Sequence, residues 1–81
     1  MEIDVRRYFH SYMQRQEKHN PMLTRAANEF YRGGVTHMDT LCELLDNSPG
    51  ELLQIRNIGE KSIALSQAVC KAYRQERGDS A

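Results

Sequence analysis

Apolar residues recur along this chain at spacings of three and four, the signature of helices with one buried face. Val5, Tyr8, Phe9, Tyr12 and Met13 form the first series, with charged residues between them and no Gly or Pro from residue 2 to 19. The pattern predicts an amphipathic helix with an aromatic stripe. The simpler expectation is that the stripe docks on the rest of the chain. The alternative is that Tyr8, Phe9 and Tyr12 stay exposed as a dimer or partner surface, since an apolar patch of that kind demands cover.

Asn20-Pro21 ends that segment and starts the next, with Asn as N-cap and Pro in the first helical position. A second helix over residues 22 to 32 buries Leu23, Ala26, Ala27 and Phe30, and Gly33-Gly34 closes it. Val35 is a lone apolar plug. Thr36, with Asp39 three residues on, predicts a capping box for a third helix that buries Met38, Leu41, Cys42 and Leu45. Ser48-Pro49 with Glu51 repeats that logic for a short fourth helix, with Leu52, Leu53 and Ile55 pointing inward. A turn, Arg56-Asn57-Ile58-Gly59, leads to a last helix from about Glu60 to Arg74. That helix buries Ile63, Leu65 or Ala64, Ala68, Val69 and Ala72, and residues 77–81 read as a frayed tail. The expected fold is all-α: a compact bundle of about five helices with a helix-hairpin-helix, residues 21–76, preceded by the amphipathic helix of residues 1–20.

Eighty-one residues fit one small domain. No apolar run is long enough for a membrane span, and the start lacks the basic-then-apolar order of a signal peptide, so a cytoplasmic protein is expected. Cys42 and Cys70 have no metal spacing and read as reduced core thiols. His10, His19 and His37 share no ligand spacing either. No nucleophile–base arrangement and no nucleotide-type loop is present, so the chain reads as non-enzymatic, with neither cofactor nor metal.

Eleven Lys and Arg balance eleven Asp and Glu, a net charge of zero that argues against strong non-specific nucleic-acid binding. The balance is uneven along the chain. Positive groups gather at Arg6, Arg7, Arg15 and Lys18 and again at Lys71, Arg74 and Arg77, whereas acids gather between Asp39 and Glu51.

Two places carry candidate chemistry. In the turn, Ile58 plugs the core, and Gly59 permits a tight bend and close approach of a ligand. The N–H groups that follow have no helical acceptor. With Lys61 and the Ser62 hydroxyl they suit a backbone phosphate, a contact that positions a protein without reading sequence. Glu60 opposes such a ligand, and a plain turn that binds nothing is the simpler alternative. On the second helix, Arg25 and Asn28 share a face. An arginine beside an amide suits a narrow minor groove, though alone the pair reads as a solvated helix face.

Taken together, Leu23-Thr24-Arg25-Ala26-Ala27-Asn28, Val35, Leu41, Glu51-Leu52-Leu53 and Asn57-Ile58-Gly59-Glu60-Lys61-Ser62 resemble the C-terminal domain of the bacterial RNA polymerase alpha subunit, over roughly Met22 to Tyr73. That family is a compact helical domain that binds the minor groove of A/T-rich DNA and touches activators and sigma factor. The resemblance implies that Arg25 enters the minor groove, that Asn28 supports it, and that Gly59, Lys61 and Ser62 hold phosphate. It also implies a free-standing relative, because the 1–20 helix stands where the family has a linker and an assembly domain. Glu29, Tyr31 and Leu65 depart from the family pattern, and the stretch from Leu41 to Ser48 is about one helical turn longer. These changes leave the fold and lower the expected DNA affinity.

Two functions follow as expectations. One is a DNA-binding, transcription-associated module that takes A/T-rich duplex weakly. The other is a protein-interaction domain, for polymerase, sigma factor, an activator or itself, that has lost useful DNA binding.

Overall fold

The computed structural model describes residues 3–78, and it is all-helical. Five helices run in order: α1 (Val5–Arg15), α2 (Pro21–Arg32), α3 (Met38–Asn47), α4 (Pro49–Leu53) and α5 (Glu60–Arg77). One hydrophobic core draws on all five.

Local chemistry accounts for most of the helix ends. Asp4 caps α1, its carboxylate accepting from the N–H groups of Arg6 at 2.8 Å and Arg7 at 3.2 Å. Helix α1 stops well before Pro21, because Glu17 turns left-handed at φ 54° and the Lys18 N–H donates back to the Met13 carbonyl at 3.2 Å. The Asn20 side chain caps α2 as expected, accepting from the Met22 N–H at 3.0 Å. Gly34 closes α2 at φ +94°, with the Val35 N–H on the Phe30 carbonyl at 2.8 Å.

The expected capping boxes are not made. The N-cap of α3 is His37, without a side-chain bond, and Thr36 Oγ1 instead lies 3.1 Å from His37 Nδ1. Asp39 is drawn away to α5, where it accepts from the Tyr73 hydroxyl at 2.9 Å and from Arg77. Ser48 is the N-cap of α4, but its side chain makes no capping bond.

Helix α1 docks on its own chain. Tyr8 and Phe9, expected as a possible partner surface, are buried, and only Tyr12 of that trio is part-exposed. Phe9 meets Phe30 edge-on at 6.3 Å between ring centroids, and Tyr8 meets Tyr73 at 5.2 Å. These contacts join α1 to α2 and α5, so the dimer role proposed for Tyr8 and Phe9 is set aside. A short antiparallel bridge ties the segment before α1 to the segment before α3, with the Val5 N–H on the Thr36 carbonyl at 2.9 Å and the Met38 N–H on the Ile3 carbonyl at 2.8 Å.

Three inward expectations also change. Leu53 is 41% exposed, because α4 is little more than one turn and only Leu52 meets the core. Ala68 faces solvent, and Ala72 is only part-buried. Helix α5 runs on to Arg77, and Gly78 takes the left-handed cap at φ 72°; the rest of the expected tail, residues 79–81, lies outside the described residues. Cys42 and Cys70 are free and buried, as expected. A hydrogen bond with Cys42 and then burial push the Cys70 thiol up, and the same bond lowers Cys42. No described helix is long and apolar enough to cross a membrane.

Candidate nucleic-acid interface

Helix α2 offers one exposed stripe. At about 100° per residue, Thr24, Arg25, Asn28 and Arg32 fall within one exposed arc, and the buried Glu29 borders it beside Arg25. Arg25 and Asn28 are exposed. Helix α1 lies along the flank nearest Asn28, where Arg6 stacks over the Tyr31 ring at 3.8 Å. Arg25 itself is left uncovered by that docking.

Glu29 is the residue whose placement sequence reading missed. A charge next to Asn28 reads as an exposed obstacle to phosphate. Instead Glu29 is 8% exposed and accepts a hydrogen bond of 2.6 Å from the Asn57 side-chain amide. Its carboxylate is therefore engaged inside the molecule, with the Arg32 guanidinium 3.8 Å away as a looser partner. This contact joins the middle of α2 to the hairpin. The available signal was its spacing, since Glu29 lies three residues from Ala26 and next to Phe30, both buried.

The hairpin is built differently from expectation. The left-handed position belongs to Asn57 at φ 68°, a residue that tolerates it better than most. Gly59 has extended backbone, φ −121° and ψ −178°, which any residue adopts. What the glycine supplies there is openness, because a Cβ would meet nothing within 4 Å. Ile58 is buried as expected, its N–H bonded to the Ile55 carbonyl at 3.1 Å.

Gly59 caps α5 with no side-chain bond, and the first backbone bond of the helix runs from the Ile63 N–H to the Gly59 carbonyl at 3.0 Å. The N–H groups of Glu60, Lys61 and Ser62 precede that bond, so they form the positive start of an 18-residue helix. Lys61 is exposed beside them. Ser62 is only 8% exposed, which removes most of the contribution expected of its hydroxyl. Glu60 is exposed in the same turn and lowers the local potential for an anion.

The other cations are mostly engaged elsewhere. Arg15 pairs with Glu76, Arg74 with Asp46, and Arg77 with Asp39. The basic cluster near the C-terminus is thus not a free patch, nor is the acidic stretch from Asp39 to Glu51 simply solvated. Among the described residues no group of His, Cys, Asp and Glu could hold a metal ion.

No family model, curated protein or solved structure matches this chain.

Proposed function

We propose that this protein is a non-enzymatic DNA-binding module of the transcription-associated kind. It contacts backbone phosphate at the start of α5 and the minor groove with Arg25, supported by Asn28. The observation that carries the proposal is the 2.6 Å bond between Asn57 and Glu29. It joins the helix bearing Arg25 and Asn28 to the turn bearing Gly59 and Lys61, and it turns the Glu29 carboxylate away from the exposed face. Electrostatics then favour the strand at an uncapped helix start with a lysine beside it. The likeness of the Arg25–Asn28 and Asn57–Ser62 segments to the alpha C-terminal domain supports the same reading, with A/T-rich duplex as ligand.

Few phosphates are engaged, so binding is weak and lost as salt rises. Titration of A/T-rich duplex at low salt, followed by amide chemical shifts, tests it. Shifts at Arg25, Asn28, Gly59 and Lys61 are expected, and Arg25→Ala abolishes the preference for A/T-rich sequence. Binding unchanged by Arg25→Ala refutes the minor-groove role.

A second reading, a protein-interaction domain for polymerase, sigma factor or an activator, is favoured by the exposed Glu60 and the covered Ser62. A silent duplex titration selects it.

A further inference from the structure

Beside the hairpin lies an open cleft of about 710 Å³, between the C-terminal end of α2 and the turn that precedes α5. Arg32 stands on one wall and Arg56 on the other, with Glu29 and Asn57 among the groups between them. Gly33 keeps the walls close. A Cβ there would come within 3.1 Å of Ile55 Cδ1 and 3.3 Å of the Glu29 carbonyl oxygen, so the end of α2 and the Ile55 side chain approach closely.

Both arginines are weakly engaged within the protein. Arg56 is exposed and makes no hydrogen bond or ion pair among the described residues. Arg32 has an 82% exposed side chain, and its only carboxylate neighbour is Glu29 at 3.8 Å, itself already bonded to Asn57. Arg32 also follows Arg25 on the same stripe of α2, seven residues and about 10 Å further along the axis. Phosphates recur about every 3.4 Å of axis along one strand, so a strand running beside that stripe offers one within reach of Arg32 while Arg25 enters the groove.

We propose that Arg32 and Arg56 clamp a second backbone phosphate of the same duplex in this cleft. The inference rests on the DNA-binding reading and deepens it. Guanidinium groups suit the task because they present paired N–H donors to phosphate oxygens and stay charged. The clamp offsets the repulsion of Glu60 at the first phosphate.

The test is the salt dependence of A/T-rich duplex binding by the whole chain. The Arg32→Gln/Arg56→Gln variant is compared with Arg15→Gln/Lys71→Gln, which makes the same change in net charge away from the cleft. The cleft variant is expected to bind roughly tenfold more weakly at low salt, and its log-affinity against log-salt slope to fall by about one, for the one phosphate that the pair holds. A/T preference is retained, because phosphate contacts carry no sequence information. The control keeps the wild-type slope. If the wild type binds and the cleft variant matches it, or if the control falls equally, the clamp is refuted while the Arg25 reading stands. If the wild type does not bind duplex, both fail.

Discussion

Two ends of this small bundle handle charge in opposite ways. Where the end of α1 meets the C-terminal half of α5 and α3, arginines and carboxylates are matched: Arg15 with Glu76, Arg74 with Asp46, Arg77 with Asp39. Buried tyrosines join in, with Tyr73 donating to Asp39 and Tyr8 to Glu76. On the α2–hairpin face, Arg25, Arg56 and Lys61 have no carboxylate partner among the described residues, and the one central acid, Glu29, is turned inward to Asn57. A net charge of zero therefore hides a division of labour. Charges at the first end tie helices together, and Arg25, Arg56 and Lys61 at the second are left without carboxylate partners among the described residues. Exposed pairs contribute little individually, so the first end is held mainly by the aromatic contacts beneath it.

The largest effect is expected in the hydrophobic core that both ends share. Phe9→Ala deletes a fully buried ring that faces Phe30, and urea unfolding is expected to show a loss of about 3–5 kcal/mol. A loss below about 1 kcal/mol contradicts the docking of α1 into the core.

Glu29→Ala comes next. It strips the Asn57 amide of its partner and loosens the hairpin, costing about 1–3 kcal/mol by the same measurement. Glu29→Gln retains an acceptor and is expected to cost less. Equal costs for the two would mean that the contact does not depend on that acceptor.

Arg25→Ala separates the two ends most cleanly. Stability stays within about 0.5 kcal/mol, as for an exposed residue without partners, while A/T-selective duplex binding is lost. At the paired end, Asp46→Asn gives the mirror result: unfolding shifts by no more than about 1 kcal/mol after solvent screening, and duplex binding is untouched.

The smallest effect concerns pH. Burial foremost, and the bond to Asp39, raise the Tyr73 phenol above its ordinary value of 10.0, against the opposing pull of Arg77. In the unfolded chain the phenol ionises first, so stability is constant below pH 10.0 and falls as pH rises through and beyond it. Tyr73→Phe is expected to flatten that alkaline slope in thermal melts. An unchanged slope assigns the alkaline loss to other groups.

Much of the architecture was legible in spacing alone. Three- and four-residue periodicity located all five helices, and Asn20-Pro21 marked the start of α2 correctly. Residues that answer to distant partners were not legible. Asp39 sits where a capping box would place it, yet Tyr73 and Arg77, more than thirty positions away, claim it. Glu29 looked like a surface charge because its partner lies 28 residues on. Leu53 looked like core because apolar identity does not reveal how short α4 is. Arg25, Asn28, Gly59 and Lys61, expected as contacts from their residue types, are all exposed. Ser62 was misjudged because the first turn of α5 rotates it toward the core. Arg32 and Arg56 were passed over because neither belongs to a motif, and only folding brings them to one cleft.

The central claim is that the Arg25 face of α2 and the start of α5 form a single cradle for a DNA strand. An amide chemical-shift map of the whole chain, with and without A/T-rich duplex at low salt, tests it most directly. The account predicts shifts at Arg25, Asn28, Asn57, Gly59 and Lys61, together with a quiet α3–α5 end around Asp46, Lys71 and Arg74. Shifts concentrated at that paired end, or a map that duplex leaves unchanged, would contradict it.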